Sequence, residues 1–380
     1  MNLIVRVTSS DPTRSLDRLI TMPIGLDVWQ VTADHVVARA SDAQAERLRQ
    51  MGYGVAQVHQ THQFLATFLT AAAGPGFHSA ATVESGLRQL ATAHPEIAEL
   101  REMGRSVENR PIWVLRLGER RPHAPKVLFM GCHHAREWLS VEVPYRLAES
   151  LVQGANAAPV KDWLSRGEIW IAPMVNPDGH EFSRGTQTPE QRLWRKNRRP
   201  NADGSVGVDP NRNYGYMWGV LDVSTSSHVP HDDTYVGPHA FSEPETQAVR
   251  DLVAVERFRG LLTYHSFSQL ILHPWGYTSR PIANVTRRQE LVSLGEKMAD
   301  LIKGVHGKAY TPEQSSQLYP TAGDTTDWAY GTYHIPAFTI ELRPASVEEG
   351  GFIVPASEIE PTWEEQWPAA SEFIRHTLAV

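Results

Sequence analysis

Apolar and polar positions change their spacing along this chain, and the changes divide it. Leu3 to Val7 alternates as a strand, and Thr13 to Thr21 has helical spacing. Asp27 to Val31 and His35 to Ala40 predict a strand pair across Thr32-Ala33-Asp34. Ser41-Asp42-Ala43-Gln44 has the form of a capping box opening a helix that ends at Gly52, and Tyr53 to Val58 closes the unit. The order β-α-β-β-α-β predicts a small ferredoxin-like α+β module over residues 1–60. Residues 61–76, with Ala71-Ala72-Ala73-Gly74-Pro75-Gly76, are expected to form a connector.

From residue 77 to 380 short apolar runs alternate with amphipathic helices, as in an α/β domain with a mixed, largely parallel sheet flanked by helices. The runs Val127–Met130, Ile169–Val175, Leu261–Tyr264 and Phe338–Ile340 are nearly continuous in hydrophobicity, which fits strands covered on both faces. Between Asn176 and Phe241 the chain is rich in Pro, Gly and Asn and keeps no period. So long an irregular segment is expected to be functional. Ser242-Glu243-Pro244-Glu245 predicts the next helix start, with a capping serine and proline in the first turn.

Composition narrows the classes. Hydrophobic content of 41% and charged content of 21% describe an ordinary globular protein, long enough for one large core and a satellite module. A net charge of −7 offers no field for nucleic acid, and the one dense basic stretch, Arg192 to Arg199, lies inside the irregular segment. No run approaches the ~20 apolar residues of a membrane span, so neither nucleic acid nor membrane is an expected partner. The single cysteine, Cys132, excludes an intramolecular disulfide. The first residues, Met1 to Val7, lack the cationic and apolar regions of a signal peptide, which leaves the compartment open.

Chemistry enters at Gly131-Cys132-His133-His134-Ala135-Arg136-Glu137-Trp138, where an apolar run ends and His134 and Glu137 stand three residues apart. A catalytic zinc site takes three protein ligands, commonly two histidines and a carboxylate, and one open position. With 17 histidines roughly one His-x-x-Glu arises by chance, so the motif needs company. It has company: His265 follows the run Leu261–Tyr264, and Glu341 follows Phe338–Ile340. In open α/β sheets ligands bind at the carboxyl ends of strands. His265 is the natural third ligand; by itself it reads as a hydrogen-bonded core histidine. Glu341 reads either as a structural ion pair with Arg343 or as a general base beside an activated water, its pKa raised by a dry site.

The set His134-Ala135-Arg136-Glu137, Arg192 to Arg198, Val208-Asp209-Pro210-Asn211-Arg212-Asn213, His265-Ser266-Phe267-Ser268-Gln269 and Phe338 to Arg343 resembles the zinc metallocarboxypeptidases of the carboxypeptidase A/B type, from Phe77 to the C-terminus. The N-terminal module resembles the pro-segment of the same family, with Leu26-Asp27-Val28-Trp29 fitting its second strand. That family is the type case of a His₂Glu zinc site, so the ligand set His134, Glu137 and His265, holding one Zn²⁺ per chain, is carried over from it. The resemblance further implies that Asp209 fixes the far nitrogen of His134 and that Arg195 stabilises the oxyanion. By the same carry-over, Asn211 and Arg212 grip a terminal carboxylate, and Tyr319 closes over the bound residue on a loop that Gly323 lets move.

The implied function is a secreted, monomeric exopeptidase, made as a zymogen, acting on peptides or other amides with a free C-terminal carboxylate. A zinc amidase of the same fold, acting on cell-wall peptides or N-acyl amino acids, would use the same clamp. A non-catalytic binding protein on this scaffold is the third reading, and the intact set His134, Glu137, His265, Arg195 and Glu341 speaks against it. Arg136 reads as a substrate-subsite residue or a surface arginine, His133 and Cys132 as buried groups, and Phe267 as a tyrosine replacement in an outer subsite. The resemblance puts Thr326 and Asp324 at the floor of the pocket for the C-terminal side chain. Asp324 reads either as a partner for Lys or Arg beside apolar walls, giving dual specificity for basic and large apolar residues, or as a helix cap.

Overall fold

A computed structural model describes residues 2–72, 76–185 and 187–379. Four strands, β1 (Asn2–Thr8), β2 (Asp27–Val31), β3 (Val36–Ser41) and β4 (Gly54–Gln60), form an antiparallel sheet in the order β2-β3-β1-β4, which is the split βαβ arrangement. Leu19, Leu48, Val5, Val7 and Ala38 fill its core. The Ser41 cap forms reciprocally: Ser41 Oγ accepts from Gln44 N, and Gln44 Oε1 accepts from Ser41 N at 2.8 Å.

Three expectations need correction. The helical stretch Thr13–Thr21 is a 3₁₀ turn, Pro12–Arg14, followed by a five-residue helix, Leu16–Ile20, because Ser15 restarts the turn by capping Arg18 N. Much of the connector is a helix, Thr61–Ala72; Phe64 and Leu65 are buried, while residues 73–75 lie outside the described residues. The helix after the irregular segment begins at Pro244 with Glu243, not Ser242, in the cap position. Ser242 Oγ is spent on the Glu243 carboxylate, and the Glu243 N–H is held from a distance by Asn213 Oδ1 at 3.1 Å.

Eight further strands make the second sheet: β5 (Ala98–Arg105), β6 (Pro111–Leu117), β7 (Lys126–Gly131), β8 (Glu168–Ala172), β9 (Gly260–Ser266), β10 (Leu270–His273), β11 (Thr311–Gln314) and β12 (Ala337–Leu342). Their order is β11-β10-β12-β9-β7-β8-β6-β5. The central four, β12, β9, β7 and β8, are parallel, and antiparallel pairs flank them, so the sheet is mixed. Successive residues of each central strand enter opposite layers. Phe129, Leu262, Ile340 and Phe338 pack beneath the helices Leu139–Gln153, Val285–His306 and Ile359–Leu378. Leu128, Met130, Leu261 and Ala337 pack with the helices Pro244–Glu256 and Thr325–Tyr333. Both faces are therefore dry, and the strands' carboxyl ends are left as the edge where polar groups gather. No helix among the described residues is long and apolar enough to cross a membrane.

Candidate active site and metal centre

Parallel pairing brings the first two functional groups side by side. Glu341 on β12 lies in register with His265 on β9, and Tyr264 is in register with Gly131 at the end of β7. Three residues beyond Gly131 the chain turns and presents His134 and Glu137. Gly131 is required there, since a Cβ on it would lie 1.9 Å from the carbonyl oxygen of Ser140. The turn is tied down by Cys132 N donating to Ser140 Oγ and by Asn176 Nδ2 donating to the His133 carbonyl. Burial pushes the Cys132 thiol well above its usual value, so it packs as a neutral group.

The ligand atoms converge. His134 Nδ1 is 2.7 Å from Glu137 Oε1, and His265 Nδ1 is 3.1 Å from both Glu137 Oε2 and His134 Nδ1. A tetrahedral ion bound at 2.0–2.1 Å has ligand–ligand edges of about 3.3 Å, so this buried set fits zinc with little adjustment. Burial raises the Glu137 carboxyl, but the two histidines outweigh it and hold the group below the usual carboxylate range. A ready anion flanked by two imidazole nitrogens is what a divalent cation requires.

Asp209 ties this cluster to the rest of the site. It is fully buried, with Oδ1 3.2 Å from His134 Nε2 and accepting from Asn211 N, while Oδ2 accepts from Arg195 Nε at 2.9 Å and pairs with its Nη2 at 2.8 Å. Despite burial, Arg195, His134 and Arg212 hold Asp209 well below its usual pKa. Arg195 is raised in turn by Asp209, against the effect of burial.

A narrow pocket of about 40 Å³ opens beside the cluster, lined by His134, Arg195, Asn211, Arg212, Leu272, Ser315, Leu318, Tyr319, Thr321, Asp324, Thr326, Thr339 and Glu341. Glu341 is pushed well above the usual carboxylate range by burial and by Glu137, with Arg195 and Arg212 offsetting part of the rise. The ion pair of Glu341 with Arg343 does not form: Arg343 is engaged by Glu365 and Glu358 instead. Arg212 Nε donates to the Thr225 carbonyl at 2.6 Å and Nη1 to that of Asn211, which aims the guanidinium along the pocket wall. At the floor, Asp324 accepts from Thr321 Oγ1, Thr326 Oγ1 and Asp327 N. It therefore caps the helix Thr325–Tyr333 and lines the pocket at once. Gly276 backs this floor, and a Cβ there would meet Thr321 Oγ1 at 2.4 Å and Asp324 Oδ2 at 2.9 Å.

Two residues sit differently from expectation. Gly323 has φ +71°, and its would-be Cβ meets the Arg212 carbonyl at 2.5 Å, so glycine serves close packing there instead of loop motion. Arg136 is not a surface group. It is fully buried, with Nη1 and Nη2 bound to the two oxygens of Asp27 at 2.7 and 2.8 Å and its guanidinium 4.0 Å from the Phe352 ring. Asp27 also pairs with Arg39, its neighbour across β2 and β3, and Arg39 reaches Asp233. Trp29, Phe64 and Leu65 pack with Leu193, Phe267 and Phe352, and Tyr319 packs against the core of the four-stranded module. Of the residues singled out for the site, His134, Arg195, Asn211, Arg212, Tyr319, Asp324, Thr326 and Glu341 line one pocket, Glu137, His265 and Asp209 stand beside it in contact with His134, and Arg136 is spent on the module.

The sequence reading missed Asp27 as a functional residue, though an aspartate in the apolar strand Asp27-Val28-Trp29 was a signal. Thr325 and Thr263 have no signature in spacing, while His133, read as a buried group, does lie buried behind the pocket.

A family model described as "Zinc carboxypeptidase" matches residues 83–369. Similar proteins include "Carboxypeptidase B" of Astacus astacus, 34% identical over 312 residues that cover 80% of this chain and 98% of that protein. "Carboxypeptidase A1" of Bos taurus is 31% identical over 306 residues, 80% of this chain and 70% of that protein. Among solved structures, the carboxypeptidase A from Helicoverpa armigera superposes with a TM-score of 0.86 at 27% identity, covering all of this chain and 98% of the other. A His-Glu-His cluster at the carboxyl edge of a mixed sheet, in a chain matched along this length, has one reading: the chain belongs to the zinc carboxypeptidase family and is a zinc-dependent exopeptidase acting at C-termini.

Proposed function

We propose that His134, Glu137 and His265 hold the zinc ion, that Glu341 is the general base, and that Asn211 and Arg212 select the free carboxylate of the substrate. The observation that carries this reading is the meeting of three ligand atoms, a raised carboxylate and two buried arginines around one pocket. Zinc, when bound, polarises the scissile carbonyl and acidifies the attacking water. Glu341 takes the proton as the C–O bond forms and delivers it to the leaving amine as the C–N bond breaks. Arg195, braced by Asp209, donates to the developing oxyanion. Arg212 offers a guanidinium fork to the terminal carboxylate, and Tyr319 covers the bound residue.

The N-terminal module acts as a stopper. Its strand pair places Asp27 on Arg136 and Trp29 over Phe352, and it packs on Tyr319, which lines the pocket. Removing one partner of a buried ion pair costs about 3–5 kcal/mol, so Asp27 is the natural release point. No Lys or Arg occurs between Gln50 and Leu87, so release by proteolysis requires a cut after Leu, Phe or Ala around Leu65–Ala73. Because Leu65 is buried, that cut must wait for the helix Thr61–Ala72 to open.

The pocket floor suits two kinds of C-terminal side chain. Asp324 offers a carboxylate to Lys or Arg, while Leu272 and Leu318 offer apolar wall to Phe or Leu. Burial and Asp324 push Asp327, on the first turn behind this floor, well above its usual pKa.

His134→Ala is expected to lose stoichiometric zinc and His133→Ala to keep it, as read by metal analysis; the opposite pattern would mean a different ligand set. Glu341→Gln should retain zinc and lose turnover by about 10²-fold or more, together with the acid limb of the pH profile, since an ionised base is lost as pH falls through its raised pKa. A variant with most of its activity refutes the base assignment.

Asp27→Ala in the full chain should raise kcat/KM at least tenfold, toward that of a chain beginning at Phe77. Equal rates for the full and shortened chains would remove the stopper. The pairing holds Asp27 below its usual value, so its contribution to docking is complete above about pH 4 and is lost only as pH falls through the lower, docked value. Incubation at pH 5 followed by assay at pH 7 should therefore leave the full chain as slow as a sample kept at pH 7 throughout.

Asp324→Asn should lower kcat/KM about 10–100-fold on substrates ending in Arg and far less on those ending in Phe, the worth of one charge-assisted contact. Equal losses on both would assign Asp324 to capping alone.

A further inference from the structure

Behind the pocket wall a chain of polar groups fixes which end of the Asn211 amide faces the substrate. The backbone N–H of Thr325 points at Asn211 Oδ1 from 3.0 Å. A backbone N–H can only donate, so the atom facing it is the amide oxygen. Thr325 Oγ1 lies 2.7 Å from that oxygen. An amide oxygen can only accept, so Thr325 gives its single hydroxyl proton there. Both acceptor positions of Oδ1 are then filled from behind, and the NH₂ group is left for the pocket that Asn211 lines. Turned the other way, the amide would present an oxygen to a carboxylate and repel it.

What holds Thr325 is His133. Having given up its proton, Thr325 Oγ1 meets His133 Nε2 at 3.2 Å with a lone pair. Tyr214 OH lies 2.9 Å from the same nitrogen, and Thr263 Oγ1 lies 3.2 Å from Nδ1. Both His133 and Thr325 are fully buried. The His133 ring is stacked on that of His265, with centroids 5.4 Å apart and planes 15° from parallel, so one imidazole touches the metal cluster on its face and the carboxylate clamp through its edge.

We propose that Thr325, backed by His133, is a positioning residue that locks the Asn211 amide with its NH₂ toward the substrate's terminal carboxylate. The proposal rests on Asn211 acting as a carboxylate clamp. The alternative amide orientation would tolerate a C-terminal amide, so the lock contributes to discrimination between free and amidated chain ends.

The test uses the zinc-loaded full chain carrying Asp27→Ala, and paired peptides that differ only in ending as a free acid or an amide. Thr325→Val removes the hydroxyl at constant shape and keeps the backbone N–H. It should raise KM for the acid about tenfold, the worth of one hydrogen bond, while kcat moves less than twofold and turnover of the amide is unaltered. Thr325→Ser should restore the parent KM. Equal losses on acid and amide, or a fall in kcat at constant KM, overturns the lock. Asn211→Ala separates the two readings: if it leaves acid–amide discrimination intact, the clamp itself is wrong.

Discussion

One carboxylate organises the site. Asp209 has no access to water, and each of its contacts goes to a different part of the chemistry: His134 at the metal cluster, Arg195 on the pocket wall, and the backbone N–H of Asn211 at the clamp. A buried anion is tolerable only when fully paired, because desolvation otherwise costs several kcal/mol. The same demand that stabilises Asp209 therefore fixes the separations between groups that must act on one substrate. The loop carrying Asp209 is irregular, and irregularity is what lets its carboxylate meet partners from three directions.

Much of this was legible in the chain and some was not, for physical reasons. Apolar runs that stop at a histidine or a glutamate mark strand ends at a sheet edge, because burying those groups mid-strand would be prohibitive. What spacing cannot give is register: that Glu341 stands opposite His265 follows from which strands pair, a long-range outcome of packing. Arg136 shows the same limit. Its sequence neighbours fit a subsite or a surface, and only the arrival of Asp27 from 109 residues away decides its burial. Local rules also competed. Ser242 has the form of a cap, yet Asn213 outbids it for the helix start, and Ser15 interrupts a helix that spacing would have drawn straight through. Gly323 looked like a hinge, but a glycine's missing side chain serves close approach as readily as motion.

The charges between the four-stranded module and the rest of the chain form an alternating series, Arg136, Asp27, Arg39 and Asp233, in which each side supplies one residue of either sign. Such an arrangement carries little net field, so it contributes to alignment more than to attraction at a distance. The apolar packing of Trp29, Phe64 and Leu65 supplies the contact area. Orientation and adhesion thus come from different residues, which allows the adhesion to vary while the alignment is kept.

The lateral register of Glu341 and His265 has one more consequence. Adjacent parallel strands are held about 4.8 Å apart by backbone hydrogen bonds, and a slip of one residue would turn every side chain on the strand to the opposite face. The spacing between Glu341 and His265 is accordingly not a continuous variable that breathing of the sheet or a gradual drift of sequence could tune. It is quantised: the pair stands at the working distance or is absent altogether. Heating such a centre should leave its geometry nearly constant until the sheet itself gives way, so that the catalytic spacing fails together with the fold and not before it.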